Sequence, residues 1–535
     1  MTDYSKLQNG SDIRGVAIEG VPGEAVNLGN REAVNIGYAF AEFLKNKGSG
    51  KNIAIGRDPR LSGKTLGIHL AAGIKSNGMD FIDFGIATTP AMFMSTVFPE
   101  TDCSGAVMIT ASHLPYNRNG FKFFTPEGGL DKKDITEILK IAEIFAEQSE
   151  KKDAHLKDNV ISDSKADDVS SCHGDMEEFH HSADKTDNCC PQERKENNLL
   201  MELYCRHLRN LIIKGCDSGE KPLSEMTVAI DAGNGSGGFF ANNVLTPLGA
   251  KVHGKYLELD GTFPNHPPNP ENKEAMDAIS KAVLESNADL GLIFDTDCDR
   301  SAAVDESGKE IARNGIVALA AALIQEKHPN TTVVTDSITS PQLTIFLEKE
   351  LGMKHLRFKR GYRNVINKAM ELNEAGIESH LAIETSGHAA IKDNYFLDDG
   401  AYLATLIVIK AALLKSRGKS INSMLEKLQE PVESVEFRMN IKGDNFSEIG
   451  DEVLSKLGMW IKNSKDMSLV EPNFEGIRAN YKKKETEGWF LLRKSLHDPI
   501  LPLNIESDTI GGTKEIAARL KEFLQKFEAV DTDNL

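Results

Sequence analysis

Short β-rich apolar runs, each closed by Asp, Gly, Asn or Ser, recur along the chain: KNIAIGRDPR from Lys51, MTVAIDAGNG from Met226 and TTVVTDSITS from Thr331. Each reads as a strand opening an α/β unit. Amphipathic stretches follow, such as Thr65 to Ser76 after the first run, so strands alternate with helices. The expected fold is α/β, with three related α/β domains carrying mixed sheets. Their irregular spacing argues against a solenoid of short repeats. After Pro431 the pattern changes. Val435, Phe437, Met439 and Ile441 alternate as in a strand, and Phe446, Ile449, Val453 and Leu457 recur at helical spacing. The strand GWFLLR and a helix near Glu515 to Phe527 complete a small C-terminal α+β domain.

Between about Gln148 and Asn198 the sequence turns polar and acidic, with too little apolar surface to order itself, and reads as a flexible insertion. Its Cys172, His173, His180, His181, Cys189 and Cys190 match none of the paired-ligand spacings of zinc sites, so a solvated loop is the better reading. The expected domains are 1–200, holding this insertion, then 201–312, 313–430 and 431–535.

At 535 residues the chain exceeds one hydrophobic core. A net charge of -18 with scattered Lys and Arg argues against nucleic acid as a partner, although a few converging cations and a metal suffice for an anionic small molecule. Seven cysteines without a compact framework fit a reducing compartment. The longest apolar stretch, Tyr402 to Leu414, is broken by Lys410, so no membrane segment is expected. The N-terminus lacks an apolar signal region. The expected compartment is the cytoplasm, or a plastid if a transit peptide precedes the sequence.

Two segments carry chemistry. In ADLGLIFDTDCDRSAAVD, Asp295, Asp297 and Asp299 alternate directly after a strand-like run, and carboxylates this close require a cation, Mg²⁺ or Ca²⁺ by their hard oxygen ligands. A calcium EF-hand fits poorly, because Arg300 occupies the glycine position and no helix precedes Asp295. In GAVMITASHLPYNRNGFKFF, Ser112 follows an apolar run beside His113, with Lys122 close behind, and is the candidate nucleophile. The segment lacks the G-x-S-x-G elbow of esterases.

Together, T-A-S-H-x-P followed by N-G-x-K, and then D-x-D-x-D-R, resemble the α-D-phosphohexomutase superfamily, which includes phosphomannomutase/phosphoglucomutase and phosphoglucosamine mutase. The resemblance spans nearly the whole chain. It implies four domains around a cleft and Ser112 as a phosphoserine. It implies Mg²⁺ held by Asp295, Asp297 and Asp299 with the phosphoserine, and Arg300 and Arg14, from NGSDIRG, facing phosphate. GRDPRLSG from Gly56 is also family-like. Lys122 and His388 become acid/base candidates, with His113 beside the serine. AIETSGH resembles the sugar-binding G-E-x-S-G-H and carries over Glu384, Ser386 and His388, with Ile383 replacing Gly. In KRGYRN, Gly361 and Arg363 match a basic V-G-x-K/R element whose Val has become Arg360. RKSLHDP resembles the phosphate clamp R-x-S-G-T-E-P: Arg493 and Ser495 survive, Leu496 and His497 replace Gly and Thr, and a later Arg is Pro502. His497 is a substitute donor.

The implied reaction interconverts hexose 1-phosphate and hexose 6-phosphate through a 1,6-bisphosphate, with a hexose 1,6-bisphosphate as activator and the protein a monomer or homodimer. Phosphoglucosamine mutase, a catalytically weak sugar-phosphate binder, and a calcium-binding interaction protein are the alternative readings.

Overall fold

The computed structural model describes residues 2–50, 52–162, 197–443, 445–495 and 498–535. Three sheets share one topology. In the first, parallel strands Phe81–Ile86, Asn52–Arg57 and Cys103–Ile109 lie side by side, and Arg118–Thr125 turns back antiparallel on the last. The second repeats this with Lys251–Lys255, Thr227–Asp231, Leu290–Phe294 and the antiparallel Ser301–Asp305. The third uses Lys354–Arg357, Thr332–Thr335, Ser379–Ile383 and the antiparallel Ala389–Ile391. The three apolar runs that opened the sequence argument are the first parallel strands of these sheets. They lie inside their sheets and read as continuous Val/Ile/Ala runs because both faces are covered.

This topology places one hairpin per domain at the same point: between the last parallel strand and its antiparallel partner lie residues 110–117, 295–300 and 384–388. These are the Ser112, Asp295 and Glu384 segments.

Helix Gly63–Ser76 fills the amphipathic stretch expected after the first strand. Helix Lys132–Ser162 enters the segment read from composition as a flexible insertion beginning near 148. Its Glu-, Lys- and Ala-rich sequence favours helix even where it is polar, and its earlier turns are anchored by buried Ile135, Ile138, Leu139, Ala142 and Ala146. The cysteines and histidines weighed for zinc, Cys172 to Cys190, lie outside the described residues.

One hydrophobic core runs through the first three domains. Phe93 and Met108 of the first join Leu208, Phe240 and Leu292, and then Leu381, Leu403 and Ile407 of the third. Helix Gly400–Lys415, the longest apolar stretch, is buried in this core. No helix among the described residues is long and apolar enough to cross a membrane.

The last domain is an antiparallel sheet in the order Glu433–Asn440, Ile500–Ser507, Thr486–Leu492, Ile477–Lys483 and Met467–Leu469, covered by helices Phe446–Lys462 and Gly512–Leu524. It encloses a core of its own around Val453, Leu457, Phe490, Leu503 and Leu520. Its contacts to the third domain include polar ones: Arg478 donates to the carbonyl oxygens of Ser337 at 2.7 Å and Thr339 at 2.9 Å. Separate cores predict separable unfolding. Leu457→Ala should destabilise the last domain by about 2–5 kcal/mol, moving one calorimetric transition and leaving the transition of the shared core in place.

Candidate active site

The hairpins of the first two domains meet at Ser112. This residue is 3% exposed and sits at φ 51°, left-handed backbone that a non-glycine residue adopts only when its surroundings enforce it. Arg60 supplies much of that enforcement. Its fully buried guanidinium donates to the carbonyl oxygens of Ser112 (2.5 Å), Leu114 (2.7 Å), Pro115 (2.7 Å) and Arg118 (3.1 Å). Asp58 neutralises it at 3.1 Å and also accepts from Thr110 Oγ1 at 2.7 Å. The Ser112 amide donates to the same Thr110 hydroxyl.

Ser112 Oγ donates to Asp295 Oδ2 at 3.1 Å and accepts from Arg300 Nη2 at 2.9 Å. Arg300 also grips Asp295 Oδ2 through Nε at 3.0 Å and Nη2 at 2.8 Å. Ligating atoms of Asp295, Asp297 and Asp299 lie within 4.8 Å of one another, all buried. Burial, then the two neighbouring carboxylates, push Asp295 well above its ordinary range despite Arg300. Burial also pushes Asp299 upward, but Lys122, His388 and Arg300 outweigh it and hold that carboxyl low. Asp297 Oδ1 and Asp299 Oδ1 are buried without a hydrogen-bond partner. Buried, unpartnered carboxylate oxygens in an all-oxygen set fit a hard divalent cation.

Lys122, 4% exposed, bonds to Asp299 and lies 3.4 Å from Asp297 Oδ2. Burial disfavours its charge, but these two carboxylates more than compensate and raise it well above the usual lysine range. Thr89 donates to Asp297 from both its hydroxyl and, at 2.9 Å, its amide. Arg14 donates to the Ala111 carbonyl oxygen and to Asp12 Oδ2, each at 2.8 Å, and so supports the serine loop from strand Asp12–Val16. His113 Nδ1 accepts from Arg300 Nη2 at 2.8 Å; burial and the charges of Arg300 and Arg14 bring it down to about 2, leaving a neutral imidazole.

The third hairpin completes the cleft. Gly387, at φ +94°, presses on the second hairpin so closely that a Cβ would lie 2.6 Å from the Ser301 carbonyl oxygen, which requires glycine. Glu384 Oε1 accepts from the Gly361 amide at 2.6 Å and is pushed up to about 7 by burial and Asp336. Ser386 Oγ is buried without a partner. His388 Nδ1 is 2.6 Å from Asp398 Oδ2; burial opposes its charge, but Asp398 and Asp299 raise it to about 9. Tyr362 stacks on His388 at 5.2 Å, carries Lys122 on its ring at 5.5 Å, and donates its hydroxyl to Asp12 Oδ1 at 3.1 Å. Arg363 pairs with Asp131 of the first domain at 2.9 Å. Together with Lys122, Asp299, Tyr362 and Asp398 it lines a cleft where the first three domains meet.

From the last domain, Arg493 has Nε buried and unpartnered, and Ser495 Oγ is 3.4 Å from Asp498. Leu496 and His497 lie outside the described residues, so the substitute-donor role expected of His497 has no structural account.

Arg60, Thr89, Tyr362 and Asp398 are site components that the sequence reading did not assign. Only Arg60 had a signal, an Arg two residues beyond an Asp at a strand end, which a buried ion pair at the sheet rim would explain.

Repeated α/β domains whose hairpins assemble a buried cluster of carboxylates and cations define a multidomain α/β enzyme. Models of phosphoglucomutase/phosphomannomutase alpha/beta/alpha domains I, II and III match residues 5–152, 202–308 and 312–432. The chain belongs to the phosphoglucomutase/phosphomannomutase family and is a phosphohexomutase-type isomerase of that family. It is 29% identical to a phosphoglucomutase of Neisseria gonorrhoeae over 519 residues, covering 96% of this chain and 95% of that one. It is 28% identical to a phosphomannomutase/phosphoglucomutase of Pseudomonas aeruginosa over 525 residues, 98% of this chain and 96% of the relative. A phosphoglucomutase/phosphomannomutase family protein from Burkholderia thailandensis shares the fold with a TM-score of 0.72 at 23% identity, over 99% of this chain and 98% of that one. An N-acetylphosphoglucosamine mutase of Aspergillus fumigatus, solved with GlcNAc-6P and magnesium, aligns with a TM-score of 0.51 at 13% identity, over 91% and 80% of the two chains.

Removing the guanidinium in Arg60→Met leaves four carbonyl oxygens and Asp58 without their partner, a cost of about 3–5 kcal/mol. Hydrogen exchange of amides 110–118 should quicken in this variant well beyond that of the parallel strands.

Proposed function

We propose that this protein interconverts hexose 1-phosphate and hexose 6-phosphate, of the phosphoglucomutase/phosphomannomutase kind, by passing a phosphoryl group through Ser112. The observation that carries the reading is the setting of Ser112 Oγ, between Arg300 and a carboxylate cluster with two unpartnered buried oxygens. Asp295, Asp297 and Asp299 are the residues that would hold Mg²⁺, the metal found with the Aspergillus enzyme. Bound there, it would withdraw charge from the phosphoryl oxygens in transfer.

Arg300 neutralises the phosphoryl group on Ser112, and Arg14 keeps the loop in place by holding the Ala111 carbonyl. In the transfer, the Ser112 Oγ–P bond breaks as a sugar oxygen bonds to phosphorus, giving a 1,6-bisphosphate. The sugar hydroxyl gives up its proton and Ser112 Oγ regains one. Lys122 and His388 are the side chains assigned to this exchange; both start with a proton, His388 because Asp398 and Asp299 raise it to about 9, so one of them gives its proton to Ser112 Oγ as the Oγ–P bond breaks and, now neutral, takes up the proton that the sugar hydroxyl loses. Glu384 and Ser386 are assigned to the sugar hydroxyls; the unpartnered Ser386 Oγ supports this. The bisphosphate then turns over and returns its other phosphate to Ser112. A hexose 1,6-bisphosphate would charge the serine initially.

With Mg²⁺ and a trace of hexose 1,6-bisphosphate, at least one of mannose 1-phosphate, glucose 1-phosphate and glucosamine 1-phosphate should be converted to its 6-phosphate. Ser112→Ala should lower that rate by about 10³-fold or more. Failure on all three sugars, with Ser112 unphosphorylated by peptide mass, would leave a sugar-phosphate binder as the better account. Asp297→Asn should raise the Mg²⁺ concentration needed for half-maximal rate by about tenfold or more, since it replaces a charged donor by a neutral one.

A further inference from the structure

The chain departs twice from its family resemblance, and the structure brings the second departure, Arg360, close to Arg493 of the clamp segment. In the clamp segment, Leu496, His497 and Pro502 stand where Gly, Thr and Arg are expected; in KRGYRN, Arg360 stands where Val is expected. The Arg360 amide donates to Glu475 Oε2 at 3.1 Å. Next to Glu475, Gly476 packs so tightly on Arg493 that a Cβ there would lie 2.8 Å from Arg493 Cβ. Arg360 of the third domain and Arg493 of the fourth are therefore neighbours.

The two guanidinium groups are satisfied unequally: burial disfavours the charge of Arg360, but Glu271, Asp336, Glu384 and Glu436 outweigh it, whereas Arg493 is held less well. Arg493 has no ion pair among the described residues, and its Nε is buried without a partner. Burial and the like charge of Arg360 hold it below the usual arginine range. The ion pair of Arg360 is with Glu271, at a long 3.5 Å, and its side chain is 24% exposed. Asn269, two residues before Glu271, accepts from Arg300 Nη1 at 3.3 Å. Through the 269–271 turn, guanidinium groups thus run from Arg300, beside Ser112, to Arg360 and on to Arg493. Glu384, assigned to the sugar, adjoins this line through its bond to the Gly361 amide.

We propose that Arg360 is a phosphate-binding residue, forming with Arg493 a two-domain seat for the substrate phosphate that is not being transferred. This rests on the phosphohexomutase reading and deepens it: Arg360 replaces, from the third domain, the cationic contact that the fourth domain has lost at Pro502. Two adjacent guanidinium groups repel each other, and a phosphate dianion between them reverses that cost while offering each a fork of acceptors. Glu271 holds Arg360 until the phosphate arrives and then yields it.

The test is titration calorimetry of glucose 1-phosphate into Ser112→Ala protein, which binds without turnover, with glucose as the uncharged control. Arg360→Met and Arg360→Gln should each weaken glucose 1-phosphate binding by about 10- to 100-fold and leave glucose binding as it was. Glu271→Gln, which keeps Arg360 and frees it, should bind glucose 1-phosphate several-fold more tightly. Parental affinity in a neutral Arg360 variant that melts at the parent's temperature would overturn the proposal. If both neutral variants unfold, equal or weaker affinity in Glu271→Gln overturns it. Turnover by the protein with Ser112 intact is scored separately. Turnover combined with unaltered affinity removes Arg360 from the site and keeps the mutase. Absence of turnover combined with lost affinity keeps the seat and removes the mutase.

Discussion

Carboxylate repulsion at the meeting of the first two hairpins is the constraint on which the rest of the site depends. Asp295, Asp297 and Asp299 are buried within a few ångströms of one another, and removing such charges from water is costly unless cations surround them. The fold supplies those cations from other segments: Lys122 from the first domain, Arg300 from the end of the same hairpin, and His388 from the third. Two carboxylate oxygens, Asp297 Oδ1 and Asp299 Oδ1, accept no hydrogen bond even so, which leaves the cluster with capacity for a further cation.

The common topology explains how these groups meet. A hairpin that follows the last parallel strand projects from the carboxyl ends of the parallel strands, where ligand sites of open α/β sheets lie. Three copies of the unit share one hydrophobic core, so their hairpins converge on one cleft. The fourth domain has its own core and reaches the third through contacts that include Arg478 on carbonyl oxygens. Such an attachment exchanges more readily with water than a shared apolar core does.

Several supporting residues act through the backbone. Arg60 holds the Ser112 loop by its carbonyl oxygens, and Arg14 holds it by Ala111. Tyr362 packs its ring against both His388 and Lys122 and ties the third domain to Asp12. These contacts set where the Ser112, Lys122 and His388 side chains point.

Local pattern determined a good deal of this by itself. Alternating strand and helix periodicity marked the three α/β units and the different last domain, because burial of one face or both is written into apolar spacing. The spaced aspartates after a strand, and a serine between Thr110 and His113, announced an ionic site because like charges so close need a counterion. Tertiary structure alone decided which distant groups met: that Lys122 would reach Asp299, that Arg363 would turn to Asp131, and that Arg360 would lie near Arg493. It also carried a helix to Ser162, where composition indicated an insertion from about 148. Contacts between residues more than a hundred positions apart depend on how sheets stack and hairpins converge, and no local spacing encodes that geometry.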